Sequence, residues 1–137
     1  MEFELLEHPA DIGFRAYGAS VEGLFANCAR ALVSIILDPS NIHCAQYVSL
    51  SAEGSDYESL LVNWLNEVLY YVDGQTMALG AFDISRSTET SIECIATVEP
   101  RDPEKHPPRL VVKAATYHQL KVHRTENGWI AEVYLDV

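Results

Sequence analysis

The feature that most constrains the fold is an amphipathic helical pattern between residues 55 and 74. Ser55 and Glu58 have the spacing of a capping box at its start, and Asp73-Gly74 predicts its end. Because the apolar stripe covers one face only, this helix must pack on another layer of the protein. At the helical spacing of three and four residues, the stripe contains Leu60, Leu61, Trp64, Leu65, Val68, Leu69 and Val72.

A pattern of the same period precedes it at residues 21–36. Ser20 is expected to be its N-cap, and Asp38-Pro39 to end it, because proline cannot continue a helix. Since each helix has one wide apolar face, we expect one sheet surface to cover both. The apolar positions of this helix are Val21, Leu24, Phe25, Cys28, Ala29, Leu32, Ile35 and Ile36.

The remaining segments alternate between apolar and polar residues, as half-buried strands do. Residues 86–90 and 126–128 are predicted hairpin turns, and residues 100–108 contain four prolines and predict an exposed loop. We therefore predict an α+β fold: two amphipathic helices packed on one face of a largely antiparallel sheet, in a single domain of residues 1–137. The predicted strands are residues 3–6, 12–17, 42–52, 78–85, 91–98, 110–123 and 129–137.

Charge and composition exclude several classes of protein. The net charge of −11 argues against direct binding of nucleic acid, which needs clustered lysine and arginine. No apolar run approaches the roughly 18 residues of a membrane span, and the acidic N-terminus lacks the basic start of a secretory signal. Cys28, Cys44 and Cys94 have no C-x-x-C spacing, so we expect reduced, buried thiols in a cytoplasmic protein.

Residues 7–13 (EHPADIG) form a polar segment between two predicted strands, where a scaffold commonly displays functional groups. Asp11 has two interpretations: a turn residue bonded to its own backbone, or a ligand for a hard cation. Asp136, beside the terminal carboxylate of Val137, is either simply solvated or a second source of ligand oxygens. Strand alternation points Asp136 away from the face of Leu135. If the fold brings Asp11 and Asp136 together, they form an oxygen-rich site.

Three further residues bear chemistry of their own. His8 and His118 are candidate metal ligands or acid–base groups, although isolated histidines beside turns are commonly structural. Lys113 interrupts an apolar run, and either an exposed lysine or a half-buried lysine paired with carboxylates fits that position. The sequence contains no Gly-x-Ser-x-Gly elbow and no G-x-x-x-x-G-K motif, so it indicates neither a nucleophilic serine nor a phosphate loop.

Four segments, taken in order, resemble one family. Residues 8–13 (HPADIG) resemble an opening motif that usually has threonine at the position of Pro9, and residues 61–70 (LVNWLNEVLY) resemble a central helix. Residues 113–118 (KAATYH) are similar to a penultimate-strand signature, and residues 129–137 to a terminal strand that closes on aspartate and an aliphatic residue. Each motif is short, but the ordered set spans the chain and resembles the archease family.

The resemblance implies an accessory protein rather than an independent enzyme. Archeases assist the RtcB-type RNA ligase that seals tRNA halves with GTP and a divalent metal, and they promote guanylylation of the ligase and its multiple turnover. By resemblance, Asp11, Asp136 and Val137 are expected to bind a divalent metal, with calcium the expected ion. Lys113 falls at a family position linked to activation, and Asp38 is a further acidic candidate. A physical hypothesis follows, in which the acidic end positions the ion at the nucleotide pocket of the ligase.

Two other classes of function stay open on the residues alone. One is a metal-dependent hydrolase that uses the same carboxylates, which intrinsic phosphatase or nuclease turnover would reveal. The other is a chaperone-like modulator of an RNA-modifying enzyme such as a methyltransferase, which co-purification with that enzyme would reveal.

Overall fold

The computed structural model describes residues 2–8, 11–43 and 46–137, with the side chains of Glu7, His8 and Asp11 outside the description. The two α-helices are α1 (Val21–Ile36) and α2 (Tyr57–Leu69). The strands are β1 (Phe3–His8), β2 (Asp11–Gly18), β3 (Gln46–Glu53), β4 (Met77–Ser87), β5 (Ser91–Pro100), β6 (Ala114–Ala115), β7 (Lys121–Thr125) and β8 (Gly128–Asp136). A short 3-10 helix (Pro39–Asn41) follows α1, and a π-helical turn (Tyr70–Gly74) extends α2.

The strands form two antiparallel sheets, whereas the sequence predicted one. The first has the order β1-β2-β8-β6, with β7 also paired to β8, and the second has the order β3-β5-β4. Helix α1 contacts β2 of the first sheet and β4 of the second, and α2 contacts β3 and β6. The α+β class and the two helices are confirmed, but the helices pack against both sheets.

The apolar side chains of both helices build one core. Trp64 is fully buried, and its indole Nε1 donates to the carbonyl of Phe25 at 3.0 Å, which joins α2 to α1. This bond satisfies the only polar group of the indole, so the large ring is buried without an unpaired donor. Cys28 and Cys94 are buried free thiols, as expected, and Cys44 lies outside the described residues.

The start of α1 follows the prediction, but the start of α2 does not. Ser20 caps α1, with its Oγ accepting from the Gly23 N–H at 3.1 Å. Helix α2 is capped by Asp56 rather than Ser55: Asp56 Oδ1 accepts from the Ser59 N–H at 2.8 Å, and Ser59 Oγ accepts from the Asp56 N–H at 3.1 Å. The reciprocal pair is a capping box one residue later than predicted, with Asp56 and Ser59 in the places of Ser55 and Glu58.

The predicted strand at residues 110–123 is wrong. Only β6 and β7 are strands in this stretch, and the chain between them turns at Gln119, whose φ of 52° lies in the left-handed region. The N–H groups of Arg109 and Leu110 donate to the carbonyl of Ile36 at 2.8 and 3.4 Å, which ties the preceding segment to the end of α1. Apolar residues here cover the core without continuous strand pairing.

The proline-rich loop at residues 100–108 is not exposed throughout. His106 is 1% exposed, and its Nδ1 accepts from the Asp102 N–H at 3.0 Å. Its Nε2 lies 3.5 Å from an oxygen of Glu99, which also accepts a 2.5 Å bond from Lys105. No local pattern predicts the burial of this histidine, because the loop must fold back on Glu99 at the end of β5 to bury it.

Candidate functional site

The end of β8 is the place where the backbones of Asp11, Lys113 and Asp136 lie close together. Ile12 of β2 is the partner of Leu135 in β8, and Ala114 of β6 is the partner of Asp136. Asp11 precedes Ile12 in the chain and β2 is antiparallel to β8, so the backbones of Asp11 and Asp136 lie at the same end of neighbouring strands. Residues more than one hundred positions apart in sequence are thus adjacent in the sheet.

The backbone of Asp136 is fixed by hydrogen bonds, and its side chain is exposed to solvent. The Lys113 N–H donates to the Asp136 carbonyl at 2.7 Å, and the Thr116 N–H and hydroxyl both donate to the Tyr134 carbonyl, at 3.3 and 3.1 Å. Leu135 is 4% exposed and Asp136 is exposed, which confirms the predicted alternation. The side chain of Val137 is 44% exposed. The end of this strand therefore presents carboxylate to solvent from a fixed backbone.

Asp11 is placed by its backbone alone. It is the first residue of β2 and the register partner of His8, the last residue of β1. The side chains of Asp11 and His8, and all of Pro9, lie outside the described part of the chain. The strand register brings the backbones of Asp11 and Asp136 to one end of the sheet, and the convergence of their carboxylates stays a prediction.

The donor set at this end suits a hard cation better than a soft one. Exposed carboxylate oxygens are the ligands that calcium and magnesium prefer. Burial raises the pKa of the Cys94 thiol to about 12 and raises that of Cys28 as well, so neither described cysteine offers a thiolate. Among the side chains that the structure describes, no three histidine, cysteine, aspartate or glutamate residues group closely enough to hold a metal. The side chain of Asp11 lies outside the described part of the chain, so this finding does not include it.

Gly13 explains part of the opening motif. A Cβ atom at this position would lie 2.5 Å from the carbonyl oxygen of Val133 and 2.8 Å from Cδ1 of Tyr134. The ring of Tyr134 and the backbone of β8 occupy the space that any larger side chain would need. The glycine two residues after Asp11 therefore lets β2 pair closely with the strand that carries Asp136.

Lys113 precedes β6 directly, and its side chain is exposed. The half-buried interpretation of this lysine is therefore wrong. Its backbone bond to Asp136 nevertheless places it beside the carboxylate end of β8. An exposed ammonium at this position is available to a partner or an anionic group.

His118 and Asp38 have local structural contacts. The His118 ring is exposed and lies 6.4 Å, between centroids, from the Tyr134 ring, and its N–H donates to Thr116 Oγ1 at 3.3 Å. Asp38 caps the 3-10 helix: its Oδ1 accepts from the Ser40 N–H at 2.9 Å, and this bond lowers the pKa of the carboxyl. Arg109 lies 3.6 Å from the same carboxylate. These contacts give both residues a role in local structure.

One residue at this end was not predicted. Asn66, half-buried on α2, accepts with Oδ1 from the Ala115 N–H at 2.9 Å and donates with Nδ2 to the Ala115 carbonyl at 3.5 Å. The only signal in the sequence is an amide residue within a strongly apolar helical stripe, directly after Leu65. Its partner, 49 residues away, is not indicated by any local pattern.

The comparisons with known proteins agree across the whole chain. The model of the Archease protein family matches residues 3–137. The chain is 37% identical over 140 residues to the protein archease of Methanosarcina mazei, covering 99% of this chain and 96% of that one. It is 35% identical over 137 residues to the protein archease of Sulfurisphaera tokodaii, covering 99% of each chain.

A solved structure supports the same assignment. The solution structure of Methanobacterium thermoautotrophicum protein 1598 superposes with a TM-score of 0.78 at 31% identity, and the match covers 98% of both chains. The family model, the relatives and the structure agree over nearly the full length. The chain therefore belongs to the archease family.

Proposed function

We propose that this protein is an accessory activator of an RtcB-type, GTP-dependent tRNA-splicing RNA ligase, and that it is not itself an enzyme. In this role it promotes guanylylation of the ligase and its multiple turnover in the cytoplasm. Family membership over residues 3–137 supports the assignment. The observation that carries it is the exposed carboxylate of Asp136 at the end of β8, a strand that pairs with β2, which begins at Asp11.

In this proposal Asp11, Asp136 and the terminal carboxylate of Val137 hold a divalent cation, with calcium the expected ion. The exposed oxygens at the end of β8 fit a hard cation, which takes several carboxylate ligands. When bound, such an ion would neutralise the negative charge of the nucleotide phosphates at the ligase. The contribution of the chain is to fix the position of the ligand oxygens before the partner arrives.

The geometry of β8 provides that fixed position. Asp136 lies between β2 and β6, and Ala131, Val133 and Leu135 bury the opposite face of the same strand. Because β8 is paired on both sides, its backbone needs no further ordering when the carboxylate binds an ion. The exposed side chain of Lys113, beside this strand end, is proposed to contact the ligase or its nucleotide.

The acidic character of the protein supports a protein partner rather than RNA. A net charge of −11 repels a phosphate backbone and favours a basic protein face. Within the described ranges, neither helix has the length and apolar character needed to cross a membrane. We therefore expect the ligase to be contacted directly, and the tRNA only by the ligase.

A guanylylation assay tests this proposal. Purified ligase is incubated with labelled GTP and with this protein, its Asp136→Asn variant, or its Glu126→Gln variant. Glu126 is an exposed carboxylate at the far end of β8, in the turn before Gly128, so it is the matched control. We expect faster labelling with the unmodified protein and with Glu126→Gln, and little with Asp136→Asn.

This assay, together with a phosphoesterase assay of the protein alone, separates the alternatives. Equal labelling with and without the protein would refute the activator role, and equal stimulation by Asp136→Asn would refute the role of that carboxylate. Turnover of a phosphoester by the protein alone, lost in Asp136→Asn, would instead support a metal-dependent hydrolase.

A further inference from the structure

We propose that Asn66 is a positioning residue for the carboxylate end of β8. Its side-chain amide holds β6 against α2, and β6 in turn holds Lys113 beside Asp136. This inference rests on the proposed function for its consequence in the ligase, whereas its structural part stands on the contacts of Asn66 alone.

The amide of Asn66 acts as a substitute for a neighbouring strand. Ala115 is 5% exposed, and β6 is the last strand in the order β1-β2-β8-β6. Asn66 accepts the Ala115 N–H at 2.9 Å and faces the Ala115 carbonyl at 3.5 Å. A side-chain amide has the same donor and acceptor pair as a peptide unit. It therefore satisfies a buried backbone edge that would otherwise lack partners.

β6 depends on this contact because it is short. It comprises only Ala114 and Ala115, and the chain leaves regular pairing on both sides of it. Its partners on β8 are Asp136 and Leu135, and the Lys113 N–H extends that pairing to the Asp136 carbonyl at 2.7 Å. A two-residue strand has too few ladder bonds to fix its own position, so the α2 contact completes its support.

The opposite end of the contact is rigid. Around Asn66, the α2 side chains Trp64, Leu65 and Val68 are fully buried in the core. The helix therefore holds the backbone of Asn66 in a fixed position, and the hydrogen bonds of its amide hold β6 in a fixed position relative to the helix. If the amide is lost, β6 loses its contact with α2, and we expect its pairing with β8, including the bond from the Lys113 N–H to the Asp136 carbonyl, to open more often.

The same helix provides a matched control. Asn63 precedes Asn66 by three residues, is exposed, and donates with Nδ2 to the Glu53 carbonyl at 2.7 Å, at the end of β3. Removing the Asn63 amide also breaks a bond from α2 to a strand, but that strand belongs to the other sheet. Any effect of Asn66→Ala that Asn63→Ala shares is therefore a general effect on the helix.

The experiment compares Asn66→Ala, Asn66→Asp and Asn63→Ala with the unmodified protein. Amide hydrogen exchange is measured at Lys113 and Ala115, and calcium affinity by calorimetry on the protein alone. We expect Asn66→Ala to accelerate exchange at both amides about 10-fold or more and to weaken calcium binding about 10-fold, as loss of an outer support does at metal sites. Asn63→Ala is expected to change neither.

Asn66→Asp decides the matter if Asn66→Ala does not fold. The carboxylate keeps an acceptor for the Ala115 N–H but has no donor for the carbonyl, so Ala115 exchange is expected to rise less than in Asn66→Ala. Unchanged exchange at Lys113 and Ala115 in the folded Asn66 variants would overturn the positioning role. If the unmodified protein neither binds calcium nor stimulates the ligase, the proposed function fails, and the exchange result still tests Asn66.

Discussion

The backbone N–H of Lys113 donates to the carbonyl of Asp136 at 2.7 Å, so the exposed lysine and the exposed aspartate belong to one hydrogen-bonded unit. This bond lies where β6, β8 and β2 end together. A cationic and an anionic side chain on backbones that are bonded to each other at a sheet end are what the proposed contact with a ligase requires.

Replacing Asp136 with asparagine is expected to weaken calcium binding on the order of 10-fold or more, because the number of charged ligands sets the affinity of such sites. The stability change should stay within about 0.5 kcal/mol, since the side chain is exposed at a strand end. Calorimetric titration and thermal unfolding measure the two effects. Calcium affinity equal to that of Glu126→Gln would remove Asp136 from the site.

Adding one glycine after Val137 tests the terminal carboxylate separately. The extension converts that carboxylate into a neutral amide and leaves the Asp136 side chain in place. We expect calcium affinity to fall while the unfolding temperature stays the same, because Val137 follows the last paired residue of β8. An extended chain that binds calcium as tightly as the original would show that only side chains supply ligands.

Gly13→Ala is expected to destabilise the fold by about 1–3 kcal/mol, the usual cost of overpacking. Its Cβ would lie 2.5 Å from the Val133 carbonyl oxygen. Gly23→Ala is the matched control, because the nearest atom to its Cβ is Ser20 Oγ at 3.4 Å and alanine is favoured in a helix. Urea unfolding of both variants measures the difference. Equal stability of the two would mean that β2 and β8 separate without cost.

The features of this fold that depend on a local sequence pattern could be predicted. The stripe around Trp64, the cap at Ser20 and the outward direction of Asp136 each follow from the spacing of apolar residues or from one capping side chain. The turn at Gln119 and the burial of His106 do not follow from such a pattern. Gln119 adopts a left-handed backbone conformation without being a glycine, and His106 is buried because its loop folds back on Glu99.

At the candidate site, too, some residues could be predicted from the sequence and one contact could not. Asp11, Asp136 and Val137 were predicted from residue type and family resemblance, and strand register places the first two at one sheet end. The contact of Asn66 with Ala115 was missed, because an asparagine in a helix carries no indication of the backbone it will bind. The candidate ligands follow from residue type and resemblance and stay a prediction, whereas no local pattern indicates the contact that Asn66 makes with β6.

The stability of the protein is expected to depend on Glu99 in a pH-dependent way. The Lys105 ammonium, 2.5 Å away, lowers the pKa of this carboxyl below its usual value of 4.5, and the His43 N–H acts in the same direction. His106 Nε2 also faces it at 3.5 Å. Because the pKa of Glu99 is lower in the folded protein than in the unfolded chain, its ionised carboxyl stabilises the fold. This stabilisation is complete above the pKa of the unfolded chain, and it is lost as the pH falls through the pKa of the folded protein.

Glu99→Gln should therefore be less stable than the original protein near pH 7, and the gap should narrow below about pH 4.5 as the native carboxyl becomes protonated. Urea unfolding at several pH values measures this gap, with Glu126→Gln as the exposed control. A gap that stays constant from neutral to acid pH would show that Glu99 contributes by packing rather than by charge.

The central claim is tested most directly by a ligation assay with catalytic amounts of an RtcB-type ligase and excess tRNA halves. With this protein present, we expect each ligase molecule to seal many substrates, and with Asp136→Asn we expect turnover to stop after about one round. Multiple turnover that is the same in the absence of the protein would contradict the account.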